Sequence, residues 1–121
     1  MRSQSSLEAL PELTDPLLKR YCPSEARAIL IHRYYLGLEL KREPTLEDTI
    51  ASWEARFARP WRREKALCDV AAQIREIERH KYHMSEQAGQ DVGFETAAAD
   101  WIRSHAKTWR DWWESQPASS P

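Results

Sequence analysis

Glycine is scarce in this 121-residue chain, which has three: Gly37, Gly89 and Gly93. A sheet-rich fold with many tight turns would need more, and a phosphate-cradling loop would need them clustered. Cysteine is equally rare. Cys22 and Cys68 form no Cys-x-x-Cys pair and no Cys/His spacing, so neither a zinc pattern nor a disulfide framework is expected. They read as small core or cap residues in a reducing compartment. Neither sign of charge is in excess: 18 Lys and Arg face 19 Asp and Glu, for a formal net charge of −1. A global basic field for nucleic acid is therefore absent, and such binding would have to be local. Long apolar runs are missing as well. The longest aliphatic stretch, Ala28-Ile29-Leu30-Ile31, is far shorter than the ~20 residues that span a bilayer. The stretch from Met1 to Glu25 holds no apolar core like that of a signal peptide. A cytoplasmic location follows as the expectation.

What the chain does have is helical punctuation. Asp15-Pro16 can open a short N-terminal helix, with Asp as cap and Pro at the first position. Cys22-Pro23-Ser24-Glu25 starts a first long helix reaching about Leu40. Its apolar residues Ala26, Ile29, Leu30, Ile31, Tyr34, Tyr35 and Leu38 cover more than one face, which predicts a central, largely buried helix. Thr45-Leu46-Glu47-Asp48 resembles a capping box with Asp in place of Glu. The helix it opens carries Leu46, Ile50, Trp53 and Phe57 on one stripe. Pro60 predicts a break and a third helix to about Met84, with Leu67, Val70, Ala71, Ile74, Ile77 and Met84 as its stripe. Ser85–Gly93 reads as a compact turn. A last helix from Phe94 to about Glu114 would turn Phe94, Ala98, Trp101, His105, Trp109 and Trp112 one way. Ser115–Pro121 has the composition of a flexible tail.

The two halves of the chain align when residue 24 is set against residue 72. Between residues 24–62 and 72–110 there are ten identities in 39 positions, where unrelated segments would share about two or three. His32-Arg33-Tyr34 meets His80-Lys81-Tyr82, Trp53 meets Trp101, and Trp61-Arg62 meets Trp109-Arg110. The expected fold is all-α: a single helical domain over residues 1–121 made of two tandem ~48-residue helix–turn–helix units, residues 22–59 and 60–114. Two units are too few for an open solenoid, so a closed, pseudo-symmetric four-helix arrangement with Trp53 and Trp101 in equivalent positions is expected.

Three surfaces could act. Trp109, Trp112 and Trp113, with Trp61, could form an aromatic patch for a protein partner, or could cover the end of the bundle. Arg56, Arg59, Arg62, Arg63 and Lys65, interleaved with Phe57 and Trp61, could meet phosphates while an indole stacks on a base, or could be a solvated junction. Glu76, His80 and His83 share a helix face that could bind a divalent cation, although neither Glu-x-x-His nor His-x-x-x-His is present. The competing reading has His32 and His80 bonded to a carbonyl or helix end. No nucleophile–base pattern stands out, and carboxylates such as Glu25, Glu47, Asp48 and Glu95 sit at helix starts, where the dipole accounts for them.

The run Tyr82-His83-Met84-Ser85-Glu86, Gly89, Asp91-Val92-Gly93 and an Ala-rich helix to Trp101 resembles the terminal segment of an uncharacterised bacterial domain. In actinobacteria that domain adjoins a lipopolysaccharide-kinase-like region. The resemblance implies no function and no site residue. The sequence thus leads to a non-catalytic bacterial accessory or adaptor protein, without a cofactor, that binds another protein as a small subunit of a larger complex. Local nucleic-acid binding and a small His-based metal protein are the alternatives.

Overall fold

A computed structural model describes residues 11–116. The expected turn at Leu7–Leu10 and the tail beyond Gln116 lie outside them. Among the described residues the protein is all-α, with five α-helices, two short 3₁₀ turns and no strand. The 3₁₀ turns are Pro11–Thr14 and Pro16–Leu18. In the second, Asp15 caps as expected, its Oδ1 accepting from Leu17 N at 2.9 Å. The helices are α1 (Pro23–Leu40), α2 (Leu46–Arg56), α3 (Ala58–Ala88), α4 (Phe94–Ser104) and α5 (Ala106–Ser115).

The contacts divide the described chain into two units. One holds the residues up to Arg59 together with those from Glu114 onward, and the other is Pro60–Trp113.

In the first unit, α1 and α2 form a hairpin. Thr45 caps α2, its Oγ1 accepting from Asp48 N at 3.0 Å, a bond of the kind worth about 1 kcal/mol. The core is Leu18, Ala26, Ile29, Leu30, Leu36, Leu46, Ile50, Trp53 and Ala58. Trp53 Nε1 donates to the buried carboxylate of Glu25 at 2.9 Å. Arg27 is also buried, and its Nη2 donates to the carbonyls of Glu114 and Gln116, which holds the chain's return against α1.

The expectation that α1 is buried on more than one face is corrected. Ile31, Tyr34, Tyr35 and Leu38 stand exposed, the last three by 60% or more. At about 100° per residue they lie nearly opposite Ala26, Ile29, Leu30 and Leu36. The short helix α2 covers one side of α1 and leaves the other open.

In the second unit, the end of α3 and α4 form a hairpin around Ile77, Ala97, Trp101 and Ala106, with Met84, Val92, Ala98 and Trp109 packed against them. α3 runs to Ala88, one turn beyond the expected end at Met84, so the turn shrinks to Gly89–Gly93. Ser85 Oγ accepts from Val92 N and Asp91 Oδ1 from Gly93 N, which hold it closed. The expected α3 stripe is buried at one end only. Ile77 is core, whereas Leu67, Val70, Ala71 and Ile74 are exposed. These four are centred roughly 140° around the helix from Lys65, Asp69, Ala72, Ile77 and Met84, the side that meets α4 and α5.

The expected Phe94–Glu114 helix is also corrected: it is two helices, broken at His105. The matching break between α2 and α3 falls at Phe57, upstream of Pro60, and proline sits harmlessly in the first turn of α3. Pro60 cannot donate to the Arg56 carbonyl and so fits a break at Phe57, but the aligned break at His105 occurs without a proline, with Thr108 at the corresponding place. Phe57 (φ −125°) and His105 (φ −129°) leave helical geometry where their rings pack edge-on against His32 and His80, at 4.9 and 5.1 Å. Boundaries in the two units keep one spacing: α2 and α4 start at Leu46 and Phe94, and α3 and α5 at Ala58 and Ala106.

Candidate functional site

Each hairpin holds a histidine between its two helices. In the first unit His32, on α1, is buried. Its Nε2 lies 2.9 Å from Ser52 Oγ, and its ring packs on Trp53 and Phe57. Burial first, and the nearby Arg56 guanidinium second, push the imidazole below its ordinary value, with Glu39 opposing. His32 is therefore harder to protonate in the folded chain than in the unfolded one. Between the folded value and about pH 6.5 the unfolded chain binds more protons, so stability falls as pH drops through that window and is unaffected above it. Urea unfolding at pH 7.5 and pH 5 should show a loss at pH 5 that is smaller in His32→Gln; equal losses in both proteins would refute the assignment.

The second unit gives the aligned histidine a different neighbourhood. His80 Nε2 lies 2.7 Å from Asp100 Oδ2, and Asp100 Oδ1 accepts from Arg103 Nη2 at 2.6 Å. The bond from His80 first, then Arg103 and His105, hold the Asp100 carboxyl below the usual carboxylate range, with burial opposing. An ionised carboxylate can only accept, so His80 Nε2 carries the proton and donates. The competing sequence reading, a histidine bonded to a carbonyl or helix end, is thus replaced by side-chain partners at both histidines: Ser52 and Asp100.

Beside this pair lies an open cavity of about 330 Å³. It is lined by Glu76, Arg79, His80, His83, Trp101, His105, Thr108 and Trp109, of which Trp101 is buried, Glu76, His80 and Trp109 are half-buried and the others are exposed. Glu76, His80 and His83 thus line one space, as their spacing on α3 suggests. They are not arranged as a cation site. Both Glu76 oxygens accept from Arg79 Nη1, His80 is committed to Asp100, and among the described residues no group of three or more His, Cys, Asp or Glu side chains could hold a metal ion. The metal alternative is dropped for that reason.

The tryptophans divide. Trp109 stacks on Trp113 at 5.3 Å and 14°, and meets the edge of Trp101 at 5.7 Å. Trp113 Nε1 donates to Asp69 on α3 at 2.7 Å. Both are half-buried, as is Trp61, whereas Trp112 is exposed. The break at His105 explains this, because it resets the register so that Ala106, Trp109 and Trp113 turn inward and Trp112 does not.

The basic run is partly neutralised. Arg56, in the first unit, bonds Glu39 and Ser52. Lys65, in the second, grips both oxygens of Asp69. Arg59, Arg62 and Arg63 are exposed. The cysteines are exposed rather than core: Cys22 precedes α1 without a side-chain capping bond, and Cys68 lies on α3.

Sequence reasoning left out Asp100, Arg79 and Thr108 and placed His105 on a core face. The alignment of the two halves held the signal, since it sets Asp100 against Ser52 and His105 against Phe57. Among the described residues no helix is long and apolar enough to cross a membrane. No protein-family model, curated protein or solved structure matches the chain.

Proposed function

We propose that the chain is a helical protein-binding module, an accessory or adaptor that docks a partner protein on the open face of α1. The observation that carries this reading is the exposed stripe Ile31, Tyr34, Tyr35 and Leu38, at i, i+3, i+4 and i+7. Exposing large apolar side chains costs roughly 1.5–3 kcal/mol each relative to burial. Single exposed residues are ordinary, but a contiguous stripe that includes two tyrosines has the make-up of an interface. Tyr34 and Tyr35 meet edge-on at 5.2 Å within it. The reading moves the docking surface away from Trp109 and Trp113, whose rings pack within the second unit.

Pull-down from the native host, with the bound protein identified, tests it. Tyr35→Glu/Leu38→Glu should stay folded, because both positions are exposed, and should lose the partner that the unaltered chain captures. Trp112→Ala should keep it. Equal capture by the unaltered chain and the double variant would refute the α1 surface; capture lost only in Trp112→Ala would return the site to the tryptophans.

A further inference from the structure

We propose that the cavity of the second unit is a binding site for a small planar aromatic anion, separate from the partner-binding face. The positions that align with the cavity lining, 48 residues upstream, carry a different chemistry. Three framework residues are unchanged: His32, Trp53 and Trp61 correspond to His80, Trp101 and Trp109. The other five lining positions change in one direction. Ala28, Ile31 and Tyr35 give way to Glu76, Arg79 and His83, and Phe57 and Pro60 to His105 and Thr108. The first unit folds its hairpin with Ala28, Ile31, Tyr35 and Phe57 at four of these places, so the fold does not require the polar ones.

What the second unit gains is recognition chemistry. Arg79 is held from one side only: Nη1 donates to Glu76, while Nε and Nη2 take no partner among the described residues. That edge of a guanidinium suits a bidentate contact with a carboxylate or phosphate. The side chains of His83, His105 and Thr108, all three exposed, make no hydrogen bond among the described residues, so their polar atoms are available in the cavity lining. The indoles of Trp101 and Trp109 supply apolar wall for a flat ring. Asp100 fixes the ring of His80 through Nε2. A volume of about 330 Å³ is at the small end for ligand sites, which limits the guest to one or two fused rings.

The test uses four probes: 2-naphthoate, 2-naphthyl phosphate, uncharged 2-naphthol, and acetate, which lacks the ring. Binding is followed by calorimetry and by the imidazole and indole NMR signals of the full chain. At least one naphthyl anion should bind with Kd of about 1 mM or tighter, the affinity ordinary for a ligand of that size. It should bind about tenfold better than 2-naphthol, and acetate should bind more weakly than it does. Binding of the carboxylate alone or of the phosphate alone supports the site and identifies its anion. Arg79→Ile/His83→Tyr/His105→Phe, which restores the first unit's residues, should fold and lose the preference for anion over 2-naphthol. Arg79→Gln, at an exposed position, should reduce that preference severalfold even if the triple variant fails to fold. Tyr35→Glu/Leu38→Glu should bind the probes unchanged, so this site and the partner surface fail independently. The proposal is overturned if neither anion binds at tenfold the expected Kd, if 2-naphthol binds as well as the anions, or if folded Arg79→Gln keeps the full preference.

Discussion

Trp53→Ala should destabilise the first unit by about 4–8 kcal/mol, enough to leave it largely unfolded. Two effects add. Removing a buried indole from a packed core costs about 3–5 kcal/mol through lost transfer energy and the cavity left behind. Trp53 is 5% exposed and packs against His32 and Phe57, so neighbouring rings cannot simply close the gap. The second effect is the loss of the Nε1 bond to Glu25, a buried carboxylate. Depriving a buried acceptor of a partner adds about 1–3 kcal/mol. Trp101→Ala is the matched control. Trp101 is 4% exposed and is the counterpart of Trp53 in the second unit, where Gln73 replaces Glu25. It should lose the cavity term alone, about 3–5 kcal/mol. Denaturant unfolding of Trp53→Phe separates the terms, since a ring is kept and the donor removed. A Trp53→Phe protein as stable as the unaltered chain would show that the Glu25 bond contributes nothing.

These two tryptophans were legible in the sequence because each sits on a stripe at helical spacing, Leu46-Ile50-Trp53 and Phe94-Ala98-Trp101. So were the caps, since Asp15 and Thr45 are followed by the backbone donors they accept from. The break at His105 was not. No proline or glycine marks it, and what accompanies it is a ring packed on His80, distant in sequence. With the break went the register of α5, and so the expectation that Trp109 and Trp112 share a face. The open sides of α1 and α3 were hidden for another reason. Both helices carry apolar residues over a wide arc, and periodicity cannot say which part of a wide arc a short partner helix will cover. The cavity was half-visible. Glu76, His80 and His83 share a helix face, but Asp100 and His105 come from the far side of the hairpin. Once Arg79 and Asp100 are in place, the metal reading gives way to an anion-binding one.

Gly93→Thr should destabilise the second unit by about 1–2 kcal/mol, although it copies the residue that serves well at the same place in the first unit. Threonine is the better helix cap in general: Thr45 precedes α2 at φ −73° and its hydroxyl accepts from Asp48 N. Gly93 precedes α4 at φ 88°, ψ 152°, a region open essentially to glycine alone. A Cβ added there would meet nothing within 4 Å, so crowding at Cβ does not enter and the penalty is one of backbone conformation. That penalty is about 1–3 kcal/mol, and a cap would return at most about 1 kcal/mol if its geometry could form. It cannot form at positive φ without giving up the bond from Gly93 N to Asp91 Oδ1 that holds the turn. Gly93→Ala, which carries the backbone penalty and no hydroxyl, should be about as unstable as Gly93→Thr. Urea midpoints of the two variants decide the matter: a Gly93→Thr protein at least as stable as the unaltered chain would show that the turn can adopt the first unit's geometry.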